Sequence, residues 1–499
     1  MLVSGPVAQE KQAIWMISII GTSLKKLRDN AHDADLSPDG SQIAFTTEDR
    51  DSIWVMNADG SQAHEAVKVP DFRLFSPFWL GSGKRIGYVK FRNDNGKITS
   101  MVESRTAQGE DPVVLVDNPD IADGTMNQPG RFVYTVNEAA PHERDSNLWD
   151  IWYDPESGRP KGAPRRLTDW TGFAFLSPSI TADGKHFIFL NQKDQTAVFV
   201  GELAAGGDEL KSPQRVTLNE NFNWPTAWSP DSKSVLFYSN RNGTFDIYKQ
   251  GVEDRAAESV AAGQEEKWAP QVSADGKWIL YMQWAKASPD TPVKGGKLMR
   301  VASGGGAPEP VMDFTGKRIG SEAYPINTVG GLPSFRCPKR VDANCVIAER
   351  KDKNVVFTSF DPIQGRKAEI GTVPMNPRGV SWDLSPDGTR VLFAPFSYTE
   401  GKVDIIPVNG SARQSFSVAP WMEISSLAWA ADGKSLFFTS FSSRGTTILH
   451  SDLAGHTKTL LKPSWDIFAL APSPDGKYLA FGPVISDANA WTTATFPSK

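Results

Sequence analysis

The chain has 499 residues, enough for several domains, and its composition of 39% apolar and 22% charged residues is that of a folded globular protein. A net charge of −5 is mild for this length and argues against nucleic-acid binding as the main role. The apolar run near the N-terminus, residues 14–21, is too short to span a bilayer and has neither a basic flank nor a cleavage site, so the sequence predicts no transmembrane segment and no signal peptide.

The first 30 residues read as the late strands of a repeat unit. The first complete unit then opens with Ser37-Pro38-Asp39-Gly40 between two short apolar runs. Proline pre-sets φ, aspartate bonds its own backbone, and glycine accepts a positive φ, so these four residues predict a tight turn. The alternating residues on either side predict two strands that pair as a hairpin.

This hairpin recurs along the whole chain. The strong copies occupy residues 36–45, 181–189, 228–237, 272–281, 382–393, 429–438 and 472–481. Weaker copies occupy residues 79–88 and 128–134, and residues 335–337 with 345–347 form a degenerate one. The turn aspartates of the strong copies are Asp39, Asp183, Asp231, Asp275, Asp387, Asp432 and Asp475. Several successive aspartates are about 43 to 48 residues apart, the spacing of propeller blades.

Each hairpin is followed by a third strand and a poorer fourth strand, the latter exemplified by residues 165–168 and 214–217. Four short antiparallel strands per repeat predict an all-β protein with the β-propeller fold. The count is about ten units after a partial first one. We expect two propellers, residues 1–285 and 300–499, divided near a Gly/Pro-rich run at 285–300; one unusually large ring is the alternative.

The repeated Ser-Pro-Asp-Gly turn with its apolar strand resembles the WD40-like (PD40) repeat of the TolB-type propeller family. Near the C-terminus, residues 335–338, 344–346, 360–365 and 489–491 resemble the propeller region of large bacterial proteins. In those proteins a serine/threonine kinase or winged-helix domain precedes the propeller, and neither domain is evident here. The resemblance implies the interaction part of a bacterial signalling system and a periplasmic or extracytoplasmic location.

Motifs that would carry chemistry are largely missing from the sequence. It contains no kinase, phosphate-loop or Gly-x-Ser-x-Gly motif, and its six histidines lack metal-ligand spacing, so no catalytic, cofactor or metal site is predicted. The even repetition of the turn aspartates favours a structural role. Cys337 and Cys345 are the only cysteines, and the sequence leaves open whether they form a disulfide or remain reduced.

These patterns favour a non-enzymatic scaffold whose loops or central channel bind a protein or peptide. The alternative is a propeller hydrolase or lyase whose active-site residues come from different blades and meet at the channel mouth. A cluster of carboxylates and histidines at that mouth would favour the enzyme. A lining of mixed small and apolar side chains would favour the scaffold.

Overall fold

The computed structural model describes residues 2–5, 13–18, 24–47, 49–94, 97–128, 130–138, 145–171, 174–180, 186–284, 295–315, 333–375, 380–397, 400–442, 445–463 and 465–494. Every regular element within these ranges is a β-strand, and no helix long and apolar enough to cross a membrane occurs in them. The strands pair antiparallel, mostly in sheets of four, which confirms the predicted all-β propeller fold. The chain separates into two compact units, residues 1–193 with 487–499, and residues 194–486.

Unit 1 begins with a three-stranded sheet of β1 (Leu2–Gly5), β2 (Ala13–Ile17) and β3 (Leu24–Asp29). Three four-stranded sheets follow in its described part. They are β4 (Ala31–Leu36), β5 (Gln42–Thr47), β6 (Ser52–Asn57) and β7 (His64–Lys68); β8 (Arg73–Trp79), β9 (Arg85–Asp94), β10 (Lys97–Thr106) and β11 (Val113–Asp117); β12 (Ile121–Gln128), β13 (Arg131–Asn137), β14 (Ser146–Trp152) and β15 (Arg165–Arg166). A hairpin of β16 (Ala174–Ile180) and β17 (His186–Thr196) comes next.

Unit 2 opens with β18 (Phe199–Leu203) and β19 (Leu210–Arg215), and four-stranded sheets follow in chain order. Their strands are β20 (Asn223–Trp228), β21 (Ser234–Ser239), β22 (Asp246–Gly251) and β23 (Glu258–Ala261); β24 (Glu266–Val272), β25 (Trp278–Trp284), β26 (Gly295–Ala302) and β27 (Glu309–Thr315); β28 (Ser334–Arg336), β29 (Cys345–Lys351), β30 (Asn354–Asp361) and β31 (Gly365–Pro374); β32 (Val380–Leu384), β33 (Arg390–Pro395), β34 (Lys402–Pro407) and β35 (Gln414–Ser417); β36 (Ile424–Trp429), β37 (Ser435–Ser442), β38 (Gly445–Asp452) and β39 (Thr457–Leu461). The last hairpin is β40 (Asp466–Pro472) and β41 (Tyr478–Ala494), of which residues 478–486 belong to unit 2.

The last hairpin of unit 2 is completed by the strands that open the unit. β41 pairs with β40 on one side and with β18 on the other, where Phe199 lies opposite Phe481, and β19 pairs with β18. The sequence order predicts that residues 214–217 end the unit of the 181–189 hairpin, but β19 pairs with β18, which pairs in turn with β41. The strand order β40-β41-β18-β19, here called the composite sheet, joins the beginning and the end of the unit.

The first strands of the sheets in unit 2 contact one another in cyclic order. Thr226 donates a hydrogen bond to Pro270 O of the next sheet (2.8 Å), and Ser381 donates one to Ser425 O (3.0 Å). The circuit returns through Trp228, whose indole N–H donates to Ala471 O at 2.7 Å. Aromatic and aliphatic side chains fill the space between neighbouring sheets, so the apolar core is distributed around the circuit.

The predicted division near 285–300 falls inside one sheet. Residues 285–294 lie outside the described residues, but β25 and β26 on either side pair directly, with Met282 opposite Leu298. A boundary there would separate paired strands, whereas the compact units divide between residues 193 and 194. The number of rings remains a prediction.

Candidate functional site

The turn aspartates act on their own backbone. Asp387 Oδ1 accepts hydrogen bonds from the Ser385 hydroxyl (2.5 Å) and from Thr389 N (3.0 Å), and the Ser385 hydroxyl accepts one from Arg390 N (2.9 Å). The same Ser–Asp contact, at 2.6 Å, recurs at the turns of Asp39, Asp231, Asp275 and Asp475. Asp432, which has no serine before it, still accepts from Lys434 N at 2.9 Å. Asp183 lies outside the described residues.

The hydrogen bonds at three of these turns lower the pKa of the carboxyl. The Ser37 hydroxyl, with the backbone and hydroxyl of Ser41, lowers the pKa of Asp39 to about 2. The hydroxyls of Ser229 and Ser273 are the largest cause of the lowered pKa of Asp231 and Asp275. Each of the described turn carboxylates thus accepts hydrogen bonds from its own turn, which is the arrangement expected of the predicted structural role.

A cavity of about 250 Å³ lies in unit 2 where the first strands of its sheets end. The lining comes from β20, β24, β28, β32, β36 and β40 or from the residues directly after them. Prolines recur among the lining residues: Pro225, Pro230, Pro338, Pro386, Pro472 and Pro474. Small and apolar side chains such as Ala274, Leu427 and Leu470 fill much of the rest. The cavity is therefore a pocket with contributions from every sheet of the circuit.

A buried ion pair forms part of the cavity wall. Arg336, at the end of β28, donates from Nε to Asp383 Oδ1 at 3.1 Å, and the two side chains are only 11% and 17% exposed. The Arg336 guanidinium also donates to Phe335 O (2.8 Å) and lies 5.4 Å from the centre of the Trp382 ring. Of the described residues lining the cavity, Asp383 is the only one with a carboxylate.

Asp383 connects three consecutive sheets. It sits on β32, bonds Arg336 of the preceding sheet, and through Oδ2 accepts the backbone N–H of Trp429 in the following sheet at 2.8 Å. Burial raises the pKa of Asp383, and the Arg336 charge opposes that effect. Burial likewise lowers the pKa of Arg336, since both groups have lost much of their water.

A short disulfide-closed loop carries a second cation to the cavity. Cys337 and Cys345 are bonded, with Cα atoms 4.2 Å apart. Within the loop, Lys339 N and Arg340 N both donate to Pro386 O, at 2.8 and 3.2 Å. Lys339 lines the cavity and keeps contact with solvent. The protein wall beside it removes part of its water and lowers its pKa, while the charges of Asp383 and Asp475 act in the opposite direction.

Arg336, Lys339 and Asp383 are not among the candidate residues predicted from the sequence. Arg336 lies in a segment that resembles a known family, and Asp383 lies within the repeat copy at residues 382–393. The available signal was a carboxylate between two large apolar residues, Trp382 and Leu384, on the first strand of a unit. A carboxylate shielded from solvent at such a position needs an oppositely charged or hydrogen-bonding partner. Asp383 lines the cavity and has Arg336 as that partner.

Charged groups also concentrate in unit 1, with a different arrangement. Glu103 is buried and accepts hydrogen bonds from Tyr88 (2.5 Å), Lys90 (2.5 Å) and Arg105 (2.9 Å). Burial, reinforced by Glu103, raises the pKa of the Tyr88 phenol. Every donor around this carboxylate is directed at it, which is the arrangement of a structural network.

Among the described residues of the whole chain, no group of three or more His, Cys, Asp or Glu side chains is placed to hold a metal.

Comparison with known proteins gives few relatives by sequence. No family model matches the chain. An uncharacterized protein of Agrobacterium fabrum is 27% identical over 116 residues, a segment that covers 22% of this chain and 38% of that protein. The chain thus spans little more than a third of the length of the curated relative that it matches.

Solved structures similar to the chain include a TolB protein, a chain of a two-protein complex and a peptidase. A chain described as TolB of Agrobacterium tumefaciens is 14% identical, with 61% of this chain and 90% of that chain covered and a TM-score of 0.26. A chain of a nidogen/laminin complex is 9% identical, with 54% and 94% covered and a TM-score of 0.39. A puromycin-hydrolyzing peptidase of Mycobacterium tuberculosis is 14% identical, with 72% and 57% covered and a TM-score of 0.28. Because these TM-scores are low, the propeller fold rests on the strand pairing described above.

Proposed function

We propose that this chain is a non-enzymatic β-propeller scaffold that binds a peptide segment of a partner protein at the cavity of unit 2. The observation that carries the proposal is the lining of that cavity. Prolines, small side chains and apolar side chains surround it, and both oxygens of its carboxylate, Asp383, already accept hydrogen bonds. A pocket whose wall combines apolar side chains with fixed polar groups is suited to holding a ligand in one orientation.

An enzyme at this site would need side chains free to transfer protons or attack a bond. The charged groups that converge here are Arg336, Lys339 and Asp383, and the first and last of them hold neighbouring sheets together. The arrangement therefore supports binding better than hydrolysis or elimination. By its resemblance in sequence to bacterial propellers that follow signalling domains, we infer that the bound partner belongs to such a system.

The test is to fill the cavity and measure peptide binding. The full chain would be screened against a random peptide display library, and the peptides that bind would be measured by calorimetry. Ala274→Trp places a large ring in the lining and should weaken binding of these peptides by about tenfold or more, since the space they occupy is lost.

Ala412→Trp is the matched control, because Ala412 is exposed and lies outside the cavity lining. It should leave the affinity unchanged. Equal binding by the wild type and Ala274→Trp, with both folded by circular dichroism, would show that the cavity is not the binding site. A screen that returns no peptide would count against the proposed function as a whole.

A further inference from the structure

The charges at the cavity do not balance. Arg336 and Asp383 neutralise each other at 3.1 Å. Lys339 is the remaining charged residue of the lining, and among the described residues its ammonium has no hydrogen-bond acceptor. Asp383 and Asp475 act on it only at longer range. The lining therefore carries one positive charge, that of Lys339, without an ion-pair partner among the described residues.

The position of Lys339 is fixed by its backbone. The loop that carries it is closed by the Cys337–Cys345 disulfide and anchored by two hydrogen bonds to Pro386 O. Pro338 precedes Lys339 and restricts the chain further. Because the loop cannot move far from the cavity, a ligand that uses the ammonium loses little additional backbone entropy on binding.

The size of the cavity limits how much of a negatively charged ligand can enter it. Pockets for whole drug-sized ligands have volumes of roughly 300–1,000 Å³. The volume here, about 250 Å³, lies below that range and suits one or two side chains of a longer ligand. Its walls combine prolines and apolar side chains with polar groups, which suits the neighbours of a charged group in a peptide better than a highly charged small molecule. A single ammonium matches a single carboxylate, and a peptide supplies that group at its C-terminus or on Asp or Glu.

We propose that Lys339 binds a carboxylate of the partner peptide while adjacent residues of the peptide occupy the cavity. This assignment rests on the proposed function and adds the chemistry that the site recognises. Arg336 takes no direct part, because its guanidinium is held by Asp383 and by Phe335 O. The ammonium–carboxylate contact would be charge-assisted and would weaken as salt concentration rises.

The experiment uses the full chain and four matched peptide pools on one array. The pools contain random decapeptides with or without Asp and Glu, each made both as the C-terminal acid and as the C-terminal amide. Wild-type protein should select peptides with a carboxylate. Binding to acid-ended peptides that lack Asp and Glu identifies the C-terminus as the source; binding to amide-ended peptides that contain Asp or Glu identifies the side chain.

Substitution of Lys339 then tests the contact itself. Lys339→Gln should weaken the selected peptides by about tenfold or more and abolish the salt dependence of their Kd. Lys339→Arg should retain most of the affinity. Lys353→Gln, an exposed lysine in the same sheet but outside the cavity, should change neither quantity.

The outcomes separate this inference from the proposed function. The inference would be overturned if peptides bound equally well with and without a carboxylate and if the Lys339→Gln variant bound them as tightly as the wild type does. If Ala274→Trp still abolished their binding, the proposed function would remain intact. If no pool bound at all, both proposals would be wrong.

Discussion

At the scale of single residues, unit 2 uses one carboxylate to connect three sheets. Asp383 is largely shielded from solvent, pairs with Arg336, and also receives the N–H of Trp429. Its burial raises the pKa of the carboxyl, and the charge of Arg336 opposes that effect. A group in this position costs free energy to bury and becomes costly to lose, because its removal leaves a guanidinium without its partner. A local polar contact thus contributes to the order of the sheets as well as to the cavity wall.

Asp383→Ala should lower the free energy of unfolding of unit 2 by about 3–5 kcal/mol, the usual cost of breaking a buried ion pair from one side. The double variant Arg336→Met with Asp383→Leu should lose less, since it leaves no charge unpaired. Urea denaturation followed by tryptophan fluorescence would measure both. If the double variant were the less stable of the two, the prediction would be wrong, and the ion pair would contribute net stability beyond offsetting the cost of burying its two charges.

The repeated turns predict a loss of stability in acid. The pKa of Asp39 is about 2 in the folded protein, lowered from an ordinary value of 3.8, so the folded state holds the charged form more strongly than the unfolded state. The resulting stability is present above about pH 4 and is lost as the pH falls toward 2. Wild type should be more stable than Asp39→Asn at pH 7, and the difference in Tm should shrink over that interval. A difference in Tm that is constant from pH 5 to pH 2 would contradict this assignment.

At the scale of elements, the turns also dock on their neighbours. Gly388 has a φ of +73°, and a Cβ atom built there would lie 2.7 Å from Ala343 Cβ and 3.1 Å from Pro338 Cβ. Glycine is thus required twice at this position, once for the backbone conformation and once for the packed disulfide loop. The turn at Gly388 and the disulfide loop therefore pack directly against each other at the edge of the cavity.

Gly388→Val should therefore destabilise unit 2 more than backbone strain alone explains. Gly410→Val is the matched control, because Gly410 has a φ of +79° but nothing within 4 Å of a built Cβ. Strain costs about 1–2 kcal/mol at either position, and overpacking should add about 1–3 kcal/mol at Gly388 only. Equal decreases in the urea midpoint for the two variants would show that the disulfide loop moves to make room for the valine side chain without a measurable loss of stability.

The disulfide predicts a second effect on this element. Replacing both cysteines, Cys337→Ser with Cys345→Ser, should cost about 2–3 kcal/mol of stability, since the bond closes a short loop. Wild type in dithiothreitol should show the same decrease in Tm as the double variant without reductant. A Tm that does not respond to reductant would mean that the loop is held by its contacts to Pro386 alone.

At the scale of the whole molecule, the local repeats were predictable and the way they close was not. Turn chemistry and alternation lie within about a dozen residues, so the hairpins, including the degenerate one in which Phe335 pairs with Ile347, could be identified from the sequence. The pairing of Phe199 with Phe481 joins strands at opposite ends of unit 2, and the sequence around either residue contains no pattern that predicts it. The cavity was missed for the same reason, because Arg336, Asp383 and Trp429 come from three different sheets.

The composite sheet predicts that damage to β18 affects all of unit 2. Val200 is buried in the middle of that sheet, opposite Ala480 on one side and Gln214 on the other. Val200→Pro removes a backbone donor and should cost about 3 kcal/mol or more, shifting the whole transition of the unit. Glu258→Pro, at the start of the edge strand β23, should cost less. A local loss of structure with the main transition unchanged would show that the circuit does not depend on this sheet.

The composite sheet also sets the order in which unit 2 can be completed during synthesis. β18 and β19 leave the ribosome first among the strands of the unit, but their partner β41 leaves last. Until residues 478–481 are available, β18 has an unpaired edge that can attract other strands. The nascent chain must therefore keep this edge from pairing elsewhere while the intervening sheets form, and the final hairpin completes the unit only after its other strands have been made.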